Sequence, residues 1–240
     1  MLIEPANLPS SPACLRNREP ILQALLEHVV ATDGSPRRVL EVGSGTGQHA
    51  WFLTQRFAEL ANGRSPDLNF NSGAVAAGAG SFESLQHLLW QCSDVAANIP
   101  VIEAWRDASN NANFLPALEL DLAKRNWPAA SYDFIFTANT LHIVSWSLVL
   151  AFCDCAIATL NSGGKLFIYG PFNYNKKFTS GSNAAFDASL RARDALSGIR
   201  DFEAVCAALN RAAAAAGCAI RLCEDIDMPA NNRFLVFEKQ

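Results

Sequence analysis

The run Arg37-Arg38-Val39-Leu40-Glu41-Val42-Gly43-Ser44-Gly45-Thr46-Gly47 is a short apolar strand pattern that breaks into three alternating glycines. After it, Gln48–Ala61 carries apolar side chains at helical spacing. Strand, glycine turn and helix in that order make a site where peptide N–H groups can meet a ligand with no Cβ in the way. The spacing is Gly-x-Gly-x-Gly, with Glu41 two positions ahead of the first glycine, and so differs from the dinucleotide pattern Gly-x-Gly-x-x-Gly. A glycine run in a loop often binds nothing. The strand before it and the helix after it give this one its weight.

Downstream, the alternation continues. Residues 87–92 read as a second strand ending at Ser93-Asp94, 95–110 as a helix, 115–120 as a third strand ending at Asp121, and 132–138 as a strongly apolar fourth. A helix over 146–160 is stopped by Asn161-Ser162-Gly163-Gly164, and 165–170 is a fifth strand. Strands separated by helices imply an α/β fold, a mostly parallel sheet with helices on both faces and ligands at the carboxyl ends of its strands. The end of the chain differs: after a helix over 202–216, strands at 219–226 and 233–239 are joined only by Met228-Pro229-Ala230-Asn231-Asn232, too short for a crossover. That link makes an antiparallel hairpin. Upstream, the first 20 residues hold four prolines and read as an arm leading into a helix over 20–31, with Pro20 in its first turn and Gly34-Ser35-Pro36 after it. Residues 62–83, rich in Gly, Ala, Ser and Asn, read as a flexible surface insertion. The expectation is a single domain over 1–240, with an arm and helix over 1–36, the insertion over 62–83 and a lid segment over 171–200.

With 240 residues, half of them hydrophobic, 18% charged and a net charge of −4, the chain has the composition of a globular protein. It shows no basic patch suited to a phosphate backbone, so nucleic acid is not an expected partner. No apolar run reaches the roughly 18 to 20 residues of a membrane-spanning helix, and the first residues lack the basic flank and apolar core of a secretory signal. Seven cysteines without a Cys-x-x-Cys suit reduced thiols in a cytoplasmic protein, and four scattered histidines show no zinc spacing, so no metal is expected. The oligomeric state is not legible.

Several side chains stand where chemistry is done. Asp94, at the end of the second strand, can accept both hydroxyls of a ribose or can cap the following helix. Asp121 ends the third strand, where a turn-forming aspartate is an equally available reading. At the end of the fourth strand, Thr137-Ala138-Asn139-Thr140-Leu141-His142 offers Asn139 as a ligand and His142 as either a general base or a packed core residue. After the fifth strand comes a connection of about 30 residues, against the usual two to six, and long loops at the ligand end of a sheet are often lids. In it, Asn183 can cap a helix that places Asp187 and Arg191 four residues apart as a surface ion pair. The rival reading makes Tyr169, Asn173, Asp187 and Arg191 the walls of a small-molecule pocket, with Arg191 or Arg193 holding a carboxylate or phosphate.

Five parallel strands closed by a hairpin, with the first motif at Gly43 to Gly47, resemble the class I S-adenosylmethionine-dependent methyltransferases. A more specific resemblance rests on Pro12-Ala13-Cys14-Leu15-Arg16-Asn17-Arg18-Glu19-Pro20-Ile21-Leu22, Gly43 to His49, Trp90-Gln91-Cys92-Ser93-Asp94, Tyr169-Gly170-Pro171-Phe172-Asn173, Ser182 to Asp194 and Met228 to Arg233. These runs are similar to the methyltransferase-like family of unknown function found in bacteria and animals. The resemblance implies a Rossmann-like seven-stranded sheet and S-adenosylmethionine as cofactor, with S-adenosylhomocysteine as product. Glu41, Gly43, Ser44, Gly45, Gly47, Gln48, Asp94, Asp121 and Asn139 would hold that cofactor. The substrate is then a small molecule on the side of Tyr169, Asn173, Asp187 and Arg191, with His142 and Tyr169 the candidates for catalysis. The alternatives are a non-catalytic protein that binds the same cofactor and works through a partner, and a nucleotide-dependent oxidoreductase, which the glycine spacing and the hairpin disfavour. Leu15 replaces a glutamate common before Arg-Asn in the family, and Ala96 stands where many members have a second acidic residue, so ribose binding falls more heavily on Asp94.

Overall fold

Seven strands form one sheet, in the spatial order 114–119, 88–94, 37–42, 132–138, 160–170, 232–239 and 220–228, mostly parallel and closed by an antiparallel hairpin, in a computed structural model that describes residues 2, 4–30, 35–64, 82–129 and 131–240. The fold is therefore the α/β class the alternation predicts. The chain separates into two compact units, Met1–Glu119 and Leu120–Gln240.

In the first unit, α1 (Pro12–Val29) is followed by β1 (Arg37–Val42), α2 (Gln48–Ala61), β2 (Leu88–Asp94), α3 (Ile99–Ser109) and β3 (Phe114–Glu119). β1 and β2 pair in parallel from Arg37 with Leu88 to Val42 with Ser93, which sets the turn after β1 beside the end of β2. Val39, Leu40, Phe52, Leu53, Trp90 and Trp105 fill the core between these elements. Helix α1 begins eight residues before the predicted start, with Pro12 at its first turn and Pro20 in its interior. An interior proline costs about 3 kcal/mol. The helix tolerates it because Cys14, Asn17, Ile21, Leu25 and Val29 lie on one buried stripe, and each large apolar side chain there contributes about 1.5–3 kcal/mol. The helix predicted over 95–110 starts instead at Ile99, after a 3-10 turn over Ala96–Asn98, because Pro100 fits only a first turn. Of the insertion predicted over 62–83, residues 65–81 lie outside the described residues, as does Gly34.

The second unit contains β4 (Tyr132–Ala138), α4 (Trp146–Thr159), β5 (Leu160–Gly170), β6 (Phe172–Asn173), α5 (Gly181–Arg193), β7 (Arg200–Asp201), α6 (Phe202–Ala215), β8 (Ile220–Met228) and β9 (Asn232–Lys239). The glycine stop predicted after α4 is a bulge inside β5, where the pairing jumps from Tyr132 with Leu160 to Phe134 with Lys165. Gly164 is needed there, since a Cβ would stand 2.8 Å from the Asp133 carbonyl. The long connection after β5 is not a bare loop. β6 and β7 pair in parallel, Phe172 with Arg200 and Asn173 with Asp201, and α5 runs between them. Its cap is Ser180, whose Oγ accepts the Asn183 N–H, and not Asn183 as predicted. Among the described residues, no helix is long and apolar enough to cross a membrane.

The hairpin turn puts Ala230 at φ 59° and ψ 37°, the left-handed region where a Cβ costs about 1 kcal/mol. Ala230→Gly should therefore raise the urea midpoint, by about 0.5–1 kcal/mol of stability once the looser unfolded chain is counted. A lowered midpoint would contradict this backbone geometry.

Candidate functional site

The turn after β1 is fixed by hydrogen bonds within itself and to the end of β2. Gly43, Gly45 and Gly47 all have positive φ, at 73°, 60° and 82°. The N–H groups of Gly43 and Ser44 both donate to the Ser93 carbonyl, at 3.0 and 3.1 Å, and Gly47 N–H donates to Ser44 O at 3.0 Å. Gly45 N–H donates to Asp94 Oδ2 at 2.7 Å. The Ser44 hydroxyl donates to the Glu41 carbonyl and accepts the Ser93 N–H. One glycine is forced by space as well as by φ. A Cβ on Gly47 would lie 3.2 Å from the Ile102 backbone of α3, whereas a Cβ on Gly45 would project into open space, the place a ligand would come closest to the chain.

Both carboxylate oxygens of Asp94 are engaged within the chain. Oδ1 accepts the Val95 N–H at 2.7 Å and the Asn98 side-chain amide at 2.9 Å, which caps the 3-10 turn, while Oδ2 faces the glycine turn. Glu41 is 1% exposed. Its Oε2 accepts the Trp90 indole N–H at 2.7 Å and the Cys92 thiol at 3.5 Å. Burial pushes its carboxyl up to about 7 in spite of those bonds, which pull the other way. Glu41 thus meets the turn through its backbone carbonyl, and its carboxylate lies underneath. Gln48 has its amide engaged by the N-terminal segment: Ser11 N–H donates to Oε1 at 2.7 Å, and Nε2 donates to Glu4 and Ser10. Burial also raises the thiols of Cys14, Cys92, Cys153 and Cys155, the last two to about 12, so these cysteines stay protonated and inert. Among the described residues, no cluster of His, Cys, Asp or Glu could hold a metal ion.

In the second unit, Asp121 Oδ1 accepts the Ala123 N–H at 2.9 Å and its carbonyl accepts from Lys124 and Arg125, the bonding of a turn former. Asn139 is left-handed, φ 60°, with its N–H on Tyr169 O at 2.9 Å. Tyr169 is buried in β5, paired with Ala138 on one side and Phe234 on the other. His142 is buried with its ring 5.4 Å from that of Phe186. Burial, helped by Arg200 and Arg193, lowers it to about 4, so it is neutral at pH 7 and a weak base. Asn173 Oδ1 is buried without a hydrogen-bond partner. Asp187, only 6% exposed, accepts Arg191 Nε and the Ile199 N–H, both at 2.7 Å. The pair is more than a surface ion pair, because Asp187 anchors the loop that follows α5.

That loop contains residues the sequence reading passed over. Four successive carbonyls after β4 are each capped by it: Leu141 and Val144 by the Arg200 guanidinium, His142 by the Gly198 N–H at 2.9 Å, and Ile143 by the Ser197 hydroxyl at 2.5 Å. Gly198 has φ 148°, which a side chain would strain, and a Cβ there would crowd the Asp187 carboxylate at 2.9 Å. Carbonyl acceptors leave no mark on a sequence, so only the glycine and Arg200 themselves could have drawn notice.

A family model described as "Protein of unknown function (DUF938)" matches residues 8–77 and 68–239. Among solved structures, the chain is similar to an O-methyltransferase family protein from Burkholderia thailandensis, with a TM-score of 0.66 and 13% identity over 94% of this chain and 57% of that one. It is also similar to an O-methyltransferase family 2 protein from Planctomyces limnophilus solved with apigenin (0.62, 15% identity, 95% of this chain and 65% of that one). A third is the S-adenosylmethionine-dependent methyltransferase SibL in its apo form (0.61, 16% identity, 93% of this chain and 56% of that one). The chain spans little more than half the length of most such structures, and at these identities the likeness is one of fold.

The buried Glu41 carboxyl makes stability depend on pH. Raised from its ordinary 4.5 to about 7, it contributes stability that is complete below 4.5 and is lost as pH rises through 7, a swing of about 3 kcal/mol. Glu41→Gln keeps an acceptor for Trp90 and removes the charge. Denaturant melts at pH 8.5 should find this variant more stable than the wild type, with the gap closing by pH 4. A gap independent of pH would mean that Glu41 is not buried as described.

Proposed function

The chain belongs to the DUF938 family of proteins of unknown function, and we propose that it is a class I methyltransferase transferring a methyl group from S-adenosylmethionine to a small molecule. The observation that carries the reading is the glycine turn after β1, open at Gly45 and tied to a strand-end carboxylate at Asp94. The fit is chemical. Open space at Gly45 admits the amino acid part of the cofactor beside the turn, and Asp94, half-buried at the end of β2, is an acceptor for ribose hydroxyls. Gly43, Ser44 and Gly47 would shape the turn, and Glu41 and Gln48 would support it from beneath and from the start of α2. Asp121 and Asn139 are assigned to the cofactor on the family resemblance.

When bound, the cofactor supplies an electrophilic methyl group on a sulfonium. Gly43, Gly45 and Asp94 would hold the donor, whose methyl group would pass to an acceptor lone pair with a neutral thioether as the leaving group. Catalysis then consists mostly of alignment and exclusion of water, and a base is needed only when the acceptor atom carries a proton. His142 suits that economy: neutral at pH 7, hemmed by arginines, it presents an uncharged ring and not a strong base. Among the substrate-side residues, Asn173 has the unmet hydrogen-bonding capacity. Asp187 and Arg191, bonded to each other, would form the wall more than the charge of a pocket, and Tyr169 would back it from β5.

Calorimetry with S-adenosylhomocysteine and with NAD on the wild type, Asp94→Ala and Asp94→Asn tests this reading. The wild type should bind S-adenosylhomocysteine and ignore NAD. Asp94→Ala should lose about 1–3 kcal/mol, roughly ten- to a hundredfold in affinity, and Asp94→Asn, which keeps one acceptor oxygen, should fall between. Binding unchanged in Asp94→Ala would remove that residue from the site, and a preference for NAD would overturn the class.

A further inference from the structure

The first residues of α2 are gripped by the segment that precedes α1. Gln48 follows Gly47 directly, and its buried amide joins three parts of that segment: it accepts from Ser11 N–H at 2.7 Å and donates to Glu4 Oε2 at 3.0 Å and Ser10 Oγ at 3.1 Å. Between these anchors, the Pro9 carbonyl accepts the Trp105 indole N–H of α3 at 3.0 Å. Glu4 also pairs with Arg18, whose guanidinium lies 4.6 Å above the Phe52 ring, and Asn17 bonds His49 at 2.8 Å. Gln48, His49 and Phe52 are therefore all held from one side. The same two helices border the glycine turn, α2 by starting at its end and α3 by packing Ile102 against Gly47.

The chemistry of Gln48 matches this duty closely. A neutral amide can accept from a backbone N–H and donate to a carboxylate at once. Glutamate in its place would face Glu4 as a like charge, and alanine would leave the Ser11 N–H without its acceptor.

We propose that Glu4 and Gln48 are a positioning pair for the cofactor. They hold residues 4–11 across the start of α2 beside the glycine turn, and the dwell time of S-adenosylhomocysteine depends on their contact. The proposal rests on reading that turn as the S-adenosylmethionine site. Residues 4–11 form a strap whose release loosens both helices that border the turn, so cofactor departure is coupled to breaking the pair. Gln48 acts through the strap and need not touch the cofactor.

The test is the release rate of S-adenosylhomocysteine, by stopped-flow displacement, from the wild type, Glu4→Ala, Gln48→Glu and the reversal Glu4→Gln with Gln48→Glu. Both single variants should release the ligand about tenfold faster, the effect of weakening one charge-assisted hydrogen bond. The reversal should bring the rate back within about threefold of the wild type, because a carboxylate at position 48 accepts from both Ser11 N–H and a glutamine amide at position 4. Should Gln48→Glu not fold, Glu4→Ala alone carries the comparison. Release rates equal in wild type and Glu4→Ala, whether or not the melting temperature falls, would overturn the strap while leaving the cofactor site standing. A fast reversal would overturn it too, making Gln48 a direct ligand, and a wild type that does not bind S-adenosylhomocysteine would overturn strap and site together.

Discussion

The hydrogen bond from Gly45 N–H to Asp94 Oδ2, 2.7 Å long, ties the turn that leaves β1 to the end of β2. Three of five consecutive residues there are left-handed, a conformation without intrinsic driving force even for glycine, which loses more chain entropy than any other residue on being fixed. The Ser93 carbonyl, accepting two N–H groups, and Asp94, accepting a third, supply that force. Because those partners belong to the sheet, the turn holds its shape with no ligand, and a ligand need not order it on binding. Beneath lies Glu41, whose carboxyl is raised by burial and kept in place by Trp90 and Cys92.

The second unit solves a related problem differently. The chain after β4 makes a turn whose carbonyls at 141–144 have no helical partners, and an unpaired buried carbonyl costs about 1–3 kcal/mol. The loop over 196–200 supplies a donor to each, with Arg200 serving two, and Asp187 on α5 fixes that loop through the Ile199 N–H. These bonds tie the loop over 196–200 to the turn after β4. Burial, with Arg200 and Arg193 close by, lowers His142 to about 4, so its ring is neutral at pH 7.

Much of the fold was legible because much of it is local. The bounds of β1, α2 and β4 follow from period alone, and the short link at 228–232 admits only a hairpin. The start of α1 is hidden in the sequence because its buried stripe includes Asn17, a polar residue that breaks the apolar pattern, and because a proline inside a helix looks like a beginning. The helix cap at Ser180 went to the wrong residue since Asn183 has equal capping chemistry; the Asn231 carbonyl, distant in sequence, claims the Asn183 amide instead. The strands β6 and β7 are two residues each, too short for any period. At the site, the glycine turn and Asp94 could be read from residue type and order. The direction of the Glu41 carboxylate and the duty of Gln48 could not, because both are set by side chains tens of residues away.

The structure of the protein crystallised with S-adenosylhomocysteine tests the central claim most directly. The ribose hydroxyls should lie on Asp94, with the amino acid part of the ligand against Gly43, Gly45 and Gly47 and the Gly45 to Asp94 bond intact. A ligand seated away from this turn, with Asp94 making only its contacts to Gly45, Val95 and Asn98, would contradict the account.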